Sequence, residues 1–256
     1  LRRVVDGWET RRSRGACRRE PLKLEALEPR FLLSLGGISG IWKAAGPASI
    51  EGGSVNVTPN DEVNGAIHDV AAHPTDADTV YVGTVNGGVW KTTNATDTRP
   101  DWEPLTDDLP SLSVGALDFD PTDVSNQTLV MGVGRLSSLG AQSGDSTGFW
   151  RTTDGGQNWT DVGTSTLDGK NITSVAARGN TLLAAADNTW GGGGNGLFRS
   201  SNGGTSWTQI TGGALPSGNV SDLVGHPRRP SEFYAAMPGS NGGVFRSTDT
   251  RQTWSQ

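Results

Sequence analysis

Gly148-Phe149-Trp150-Arg151-Thr152-Thr153-Asp154-Gly155-Gly156-Gln157-Asn158-Trp159 is the stretch that decides the fold. It is typical of a strand, a tight turn and the first residue of a further strand. The Thr and Asp oxygens can accept hydrogen bonds from N–H groups of the turn, and glycine supplies a position with φ above zero. Similar stretches occur at residues 196–207 and 243–254, and a looser one starts at Gly88. Gly-Gly between β-rich runs indicates a hairpin, so the repeat predicts an all-β chain.

The spacing of the repeats predicts the architecture. The third-strand aromatic residues Trp90, Trp150, Phe198 and Phe245 are 60, 48 and 47 residues apart. Four strands of about five or six residues, with their turns, fill such a period. We therefore predict that residues 36–256 form a β-propeller of four-stranded antiparallel blades. The predicted blades are about residues 65–107, 113–163, 171–211 and 219–256.

Residues 41–46 resemble the outermost strand of a repeat standing alone. Segments of the same kind begin at Trp102, Trp159 and Trp207. A propeller uses such a strand to close its ring by completing the last blade. The four blades either form a small ring closed by this strand or are part of a larger propeller, and we expect the larger propeller.

The pattern Ser/Thr-x-Asp-x-Gly-x-Thr-Trp resembles the Asp-box, or bacterial neuraminidase (BNR) repeat, of sialidase-like β-propellers. Asn202 stands in for the aspartate and Arg251 replaces the usual glycine. The resemblance implies that the box is structural and lies away from any active site. A large ring stabilises most when it is buried, so the closing tryptophans are expected to pack toward a neighbouring repeat. The structural residues are then Thr152, Asp154, Gly156, Trp159, Ser200, Asn202, Gly204, Trp207, Ser247, Asp249 and Trp254.

Composition and charge exclude several classes of protein. Residues 1–30 carry nine Lys/Arg and five acids, so the remainder has 12 basic and 22 acidic residues, a balance of −10. An acidic body argues against nucleic acid as the main partner. No apolar run approaches the roughly 20 residues of a membrane helix, so no membrane insertion is predicted. The single Cys17 excludes an internal disulfide framework.

Residues 1–35 differ from the rest of the chain. The Arg-rich part from Arg11 to Arg19 has the composition of a nucleic-acid patch, but no aromatic residues interleave with its charges. We predict a disordered basic segment that serves sorting. Leu27-Glu28-Pro29-Arg30-Phe31-Leu32-Leu33-Ser34 resembles the LEPR-x-L-L element near the N-termini of large exported bacterial proteins. This resemblance implies an extracellular or cell-surface location.

Two long polar loops between second and third strands are the predicted ligand site. They span Gly134–Thr147 and Asp187–Asn195, and loops of this length are more often functional or disordered than merely connective. The candidate ligand-binding residues in them are Arg135, Asp145, Asp187 and Trp190. Trp190 either stacks on a sugar or folds back onto its own blade. A polysaccharide or a surface protein is the expected partner.

No metal, cofactor or catalytic residue is assigned from the sequence. His68 lies in a predicted strand, and His73 and His226 occupy equivalent turn positions before proline, so their spacing does not indicate a metal site. The glycine run at 191–194 lacks the Lys-Ser/Thr of a phosphate loop.

Two glycosidase families share the expected scaffold. Sialidases need a tyrosine nucleophile, but Tyr81 and Tyr234 fall inside predicted strands. Residues 80–90 resemble the first blade of the xyloglucan-cleaving glycosidases of family 74, which reads Arg-Thr-Asp-x-Gly-Gly. Here Gly83 replaces the arginine and Val85 replaces the aspartate that serves as general base. An inverting hydrolase needs two carboxyl groups across the scissile bond, and a valine at the base position cannot activate water.

Three functions therefore stay open. The interpretation that we adopt is a non-catalytic propeller that binds a glycan or a protein at the cell surface. A xyloglucanase-like or sialidase-like glycoside hydrolase would have to take its carboxylates from Asp107, Asp108, Asp145 or Asp187. The third is a purely structural module of a giant surface protein.

Overall fold

A computed structural model of the chain describes residues 45–47, 66–134, 144–188, 194–249 and 253–256. The described residues from Ala45 onward belong to one compact unit, Ala44–Gln256. The predicted sorting segment at residues 1–35 lies outside the described residues. Residues 41–44 of the predicted closing strand also lie outside them. Fifteen strands and one helical turn occur in the described part.

The strands form four antiparallel sheets, and each sheet follows chain order. Blade 1 consists of β1 (Ile67–Ala72), β2 (Val80–Thr84), β3 (Val89–Thr92) and β4 (Glu103–Pro104). Blade 2 consists of β5 (Val114–Phe119), β6 (Leu129–Val133), β7 (Phe149–Thr152) and β8 (Thr160–Asp161). Blade 3 consists of β9 (Asn171–Arg178), β10 (Thr181–Asp187), β11 (Gly196–Ser200) and β12 (Thr208–Ile210). Blade 4 consists of β13 (Asp222–Gly225), β14 (Phe233–Met237) and β15 (Gly243–Ser247).

A single antiparallel bridge stands in blade 4 where the other blades have a fourth strand. It joins Arg246 to Ser255, as Arg199 is joined to Thr208 in blade 3. Ser255 therefore occupies the outermost position of the last blade. Ala45 and Gly46, the described residues of the predicted closing strand, are irregular.

The blades pack face to face in chain order. The first strand of each blade contacts the first strand of the next, from β1 to β5, β9 and β13. Among the described residues, no contact of similar extent joins β13 back to β1, so the blades form an open arc. The all-β fold of four-stranded antiparallel blades is confirmed, and the arc fits part of a propeller.

One apolar cluster fills each of the three interfaces between blades. We call the face of a blade that packs on the next blade its forward face, and the opposite one its rear face. Successive residues of a strand point to opposite faces, so the middle blades need apolar side chains on both. Clusters at the three interfaces include Tyr81 and Leu129 (blades 1 and 2), Phe149 and Phe198 (blades 2 and 3), and Leu197 and Phe245 (blades 3 and 4).

The helical turn α1 (Thr164–Leu167) links blade 2 to blade 3 and was not predicted from the repeat. It carries Leu167 into the cluster between these blades, where the side chain is fully buried. No helix in the described ranges has the length and apolar character of a membrane span.

Candidate functional site

The antiparallel topology gives the blades two distinct edges. The loops between second and third strands and the links between blades lie at one edge, which we call the loop edge. The hairpins between first and second strands and the repeat turns lie at the other, which we call the turn edge. Of the predicted ligand residues, Asp145 and Asp187 thus lie at the loop edge, and the repeat-turn residues, such as Thr152 and Asp154, lie at the turn edge.

Side-chain oxygens organise the repeat turns. In blade 2, Thr152 Oγ1 donates to Asp154 Oδ1 (2.7 Å) and accepts from the N–H of Gly156 (3.0 Å). Asp154 Oδ1 also accepts from the N–H of Asn158 (2.9 Å). Hydrogen bonds from the side chain and backbone of Asn158, followed by that from Thr152, lower the pKa of Asp154 to about 2. Gly156 has φ of 92°, which a side chain would penalise.

The same bonds recur in the other repeats. Ser200 Oγ donates to Asn202 Oδ1 (2.9 Å) and accepts from the N–H of Gly204 (2.8 Å). Ser247 Oγ donates to Asp249 Oδ1 (3.1 Å). In the looser first repeat, Asn94 Oδ1 accepts from the N–H of Asp101 (2.9 Å), which closes a turn enlarged by the insertion.

The closing tryptophans pack on the preceding blade. Trp159 lies against the cluster between blades 1 and 2, and Trp254 is buried between blades 3 and 4. Trp207 packs its ring 5.0 Å from Phe149 and donates from Nε1 to the carbonyl of Val162 (2.7 Å). The repeat turns are therefore braces between blades.

Thr152→Val should lower the free energy of unfolding by about 1–3 kcal/mol. The valine keeps the shape of this buried side chain but leaves the N–H of Gly156 without its acceptor. Urea titration of both proteins measures the difference. The exposed neighbour gives a matched control, since Thr153→Val should change stability little; equal effects of the two substitutions would contradict the role of the turn.

His73 and His226, in the hairpins between the first and second strands of blades 1 and 4, have hydrogen-bond partners in their own turns. His73 Nδ1 accepts from the N–H of Asp76 (3.1 Å), and His226 Nδ1 accepts from the N–H of Arg229 (3.1 Å). Both imidazoles thus close the turn that carries them. In the portion of the chain that the structure describes, no group of three His, Cys, Asp or Glu could hold a metal ion.

At the loop edge, two polar residues hold the bases of the two long loops. Ser113 accepts from the N–H of Gly134 through its carbonyl (3.0 Å) and from the N–H of Gly144 through Oγ (2.9 Å). These two glycines flank residues 135–143. Asn219 Oδ1 accepts from the N–H of Asn188 (3.2 Å) and from Asn195 Nδ2 (2.6 Å).

The asparagines bonded to Asn219 flank residues 189–194, so each long loop begins and ends on one residue. Neither Ser113 nor Asn219 was among the residues predicted from the sequence. Their signal is a polar residue just before the first strand, which is Ser113 in blade 2 and Asn219 in blade 4.

The structure describes two of the four candidate ligand residues. Asp145 is exposed near the end of the first loop, and Asp187 ends β10, where it pairs in register with Asn171. Arg135 and Trp190 lie outside the described residues. A cation that the sequence did not single out joins this edge: Lys170 Nζ lies 5.3 Å from the Phe198 ring.

In blade 1, the two residues that replace the arginine and the aspartate of the family-74 pattern, Gly83 and Val85, are closely packed. A Cβ at Gly83 would lie 2.5 Å from Cγ1 of Val114, so the first strand of blade 2 occupies the space that an arginine would need. Val85 is buried, and its N–H donates to the carbonyl of Ala66 (3.0 Å). The position that the sequence resemblance matches to the base of that family therefore carries an apolar group.

Both tyrosines have structural partners. Tyr81 is buried and its hydroxyl donates to the carbonyl of Gly155 in blade 2 (2.9 Å). The hydroxyl of Tyr234 donates to Glu232 (2.5 Å), which also binds Arg246 (2.8 Å). Hydrogen bonds from Arg246 and Tyr234 lower the pKa of Glu232 to about 2, while the bond to this carboxylate raises the pKa of Tyr234.

Three solved structures illustrate the likeness of the fold. An ancestral GH74 enzyme is 23% identical with a TM-score of 0.55, covering 84% of this chain and 25% of its own. The GH74 xyloglucanase from Xanthomonas campestris is 18% identical with a TM-score of 0.56, covering 82% of this chain and 31% of its own. A chain of the nidogen/laminin complex is 12% identical with a TM-score of 0.54, covering 73% of this chain and 62% of its own. Such identities show the fold alone.

The chain thus spans 25% and 31% of the length of these two GH74 structures. No curated protein matches the sequence significantly. Residues 113–256, more than half of the 256, match the family model of the DUF6242 beta propeller domain. The match to this family covers blades 2, 3 and 4, from β5 to β15. The chain belongs to the DUF6242 beta propeller domain family.

Proposed function

We propose that this propeller is non-catalytic and binds a polysaccharide through its loop edge at the cell surface. The single observation that carries the proposal is the holding of two long polar loops, each by one residue, at the same edge of neighbouring blades. Loops fixed at their bases by a rigid scaffold are a common way to present a binding surface.

The chemistry of this edge suits sugar hydroxyls. Side-chain amides of Asn188, Asn195 and Asn219 offer both donors and acceptors, and Asp145 and Asp187 offer carboxylate acceptors. We place Trp190 and Arg135 in the same site, because the sequence puts them within the two held loops. An indole face binds the apolar face of a sugar ring, and a few fixed polar groups then orient the ligand.

The non-catalytic part of the proposal is supported by blade 1. Val85 is buried at the position where the family-74 pattern has its general base, and valine cannot activate water. Gly83 has no room for a longer side chain. Two further proposals rest on the sequence alone: the repeat turns are Asp-boxes, and residues 27–34 direct export or surface display.

The test is retention on a panel of immobilised polysaccharides, with reducing ends assayed in the same incubations. We expect retention without hydrolysis. Trp190→Ala should weaken binding by about 2 kcal/mol, roughly thirtyfold in Kd, while Trp190→Phe should retain most of it.

Arg228→Ala is the matched control for Arg135→Ala, because Arg228 is exposed at the turn edge. Only the loop-edge variant should lose affinity. Hydrolysis abolished by changing Asp107, Asp108, Asp145 or Asp187 would instead show a glycosidase. Neither binding nor hydrolysis on the panel would favour a structural module.

A further inference from the structure

One short segment of the chain contacts both long loops at the loop edge. Residues 168–171, which we call the junction, follow α1 and lead into β9, so they lie between blades 2 and 3. On the side of blade 2, the N–H of Gly169 donates to the carbonyl of Ser146 near the end of the first loop (2.8 Å). A Cβ at Gly134, where that loop begins, would lie 2.8 Å from Oδ1 of Asn171.

The second long loop also meets the junction at both of its ends. It begins at Asp187, which pairs in register with Asn171. Near its end, a Cβ at Gly194 would lie 3.1 Å from Nζ of Lys170. The junction therefore lies against the ends of both loops, and it has a four-stranded blade on each side.

Packing and hydrogen bonding fix the backbone of the junction. Leu167, the last residue of α1, is fully buried between blades 2 and 3. Its carbonyl accepts from the N–H of Lys170 (3.1 Å). Gly169 has φ of 73°, a left-handed conformation that glycine adopts without strain. The side chains of the junction are therefore held by a rigid scaffold, as binding residues need to be.

The junction presents a hydrogen-bond acceptor beside one loop and a donor beside the other. Asp168 is exposed, and its Oδ1 would lie 3.3 Å from a Cβ at Gly148, just after the first loop. Lys170 is half-buried, and its ammonium lies 5.3 Å from the centroid of the Phe198 ring. Contact with this buried ring helps to hold the cation in place. A sugar hydroxyl both donates and accepts hydrogen bonds, so it can bind to either group.

Charge around the junction disfavours an acidic ligand. Asp145, Asp168 and Asp187 place three carboxylates at this part of the loop edge, against the ammonium of Lys170. The sequence of the two long loops adds one cation, Arg135, and no further acid. The balance stays negative, and residues 31–256 as a whole carry 12 basic and 22 acidic residues. Such a surface repels an anionic polysaccharide and leaves an uncharged one unaffected.

From these observations we infer that Asp168 and Lys170 bind the ligand of the loop edge directly and that this ligand is an uncharged polysaccharide. The inference rests on the proposed function and deepens it. Lys170 donates to hydroxyl oxygens of the sugar chain, and Asp168 accepts from its hydroxyl groups. The bound chain crosses the boundary between blades 2 and 3, because the two side chains lie beside loops of different blades.

Affinity electrophoresis of the full chain tests the inference with three soluble probes. Hydroxyethyl cellulose and galactomannan are uncharged, whereas polygalacturonate is anionic. We expect an uncharged probe to retard the protein and polygalacturonate to leave its mobility unchanged. Asp168→Asn and Lys170→Met should each weaken binding of the uncharged probe about tenfold, the effect of losing one hydrogen bond to a charged group.

Two residues beside the repeat turn of blade 1 give matched controls. Lys91 Nζ also lies 5.3 Å from the centroid of a buried ring, that of Tyr81, so Lys91→Met removes the same kind of contact away from the junction. Glu103→Gln neutralises an exposed acid of β4. Neither control should change the affinity. Asp168 is exposed, so Asp168→Asn should keep the unfolding midpoint of the wild type, which separates loss of binding from loss of folding.

The salt dependence tests the charge of the ligand. Binding of an uncharged probe should be the same at about 0.05 M and about 0.5 M NaCl, because salt screens only interactions between charges. Retardation by polygalacturonate alone, lost at the higher salt concentration, would overturn the inference and leave polysaccharide binding standing.

The variants test the position of the site. Unchanged affinity in both Asp168→Asn and Lys170→Met, in a protein whose binding is lost in Trp190→Ala, would overturn the inference alone. Retardation by none of the three probes would overturn it as well, and the wider panel of immobilised polysaccharides would then decide the proposed function.

Discussion

Trp207→Ala should lower the free energy of unfolding by about 3–5 kcal/mol, the range for truncating a large buried aromatic residue. The indole is 7% exposed and packs on Phe149 of the preceding blade. Its Nε1 also donates to the carbonyl of Val162. The substitution would open a cavity between blades 2 and 3 and leave this carbonyl without its donor. Equilibrium urea unfolding, followed by far-ultraviolet circular dichroism, measures the change.

Two variants separate the parts of this effect. Trp207→Phe keeps an aromatic ring but removes the hydrogen bond, so it should cost less than the alanine. Trp102→Ala changes the equivalent tryptophan of blade 1, which is half-buried and donates from Nε1 to the carbonyl of Ala45 (2.8 Å). It should destabilise far less than Trp207→Ala. If Trp102→Ala costs as much, bracing between blades is not the source of the stability.

Local chemistry explains why the fold could be predicted from the sequence. The repeat turn is closed within five residues by Thr152, Asp154 and Gly156, so its signal is contiguous in the chain.

Contacts between distant residues could not be predicted in this way. Leu197 and Val244 occupy the same repeat position, yet Leu197 is buried against blade 4 while Val244 is exposed, because burial depends on contacts between blades. Likewise, Ser113 binds the N–H of Gly144, which is 31 residues away. The candidate site was predicted only as two loops, since neither turn chemistry nor periodicity indicates which residue holds their bases. The roles of Arg135 and Trp190 stay predictions.

Asp118 is a carboxylic acid at an otherwise apolar position. It pairs with Val130 on the forward face of blade 2, where blade 3 has Ala176 paired with Leu183. Burial there raises the pKa of Asp118 to about 7, although the nearby guanidinium of Arg178 acts in the opposite direction. Desolvation disfavours the charged form, so this acid keeps its proton in the folded protein at pH values where the unfolded chain has lost it.

The sign of the pH dependence follows from this raised pKa. Between about pH 4 and pH 7 the folded state binds more protons at Asp118 than the unfolded state, so stability falls as the pH rises through this window. The rise in the pKa of Asp118 from 3.8 to about 7 corresponds to about 4 kcal/mol of folding free energy, and this stabilisation is lost by pH 8. Asp118→Asn cannot ionise and should remove this slope. The variant should match the wild type at pH 4 and exceed its stability by up to about 4 kcal/mol at pH 8.

Urea titrations at one-unit intervals from pH 4 to pH 8 measure the difference between the two proteins, in which the contributions of other titrating groups cancel. Asp108→Asn, at an exposed acid of the link between blades 1 and 2, is the control and should leave the slope unchanged. Parallel stability curves for wild type and Asp118→Asn would mean that water or Arg178 solvates the carboxylate in the folded protein. A difference that grows with pH would instead show that Asp118 is a buried ionisable group between blades 2 and 3. Its ionisation at alkaline pH then weakens the packing of these blades.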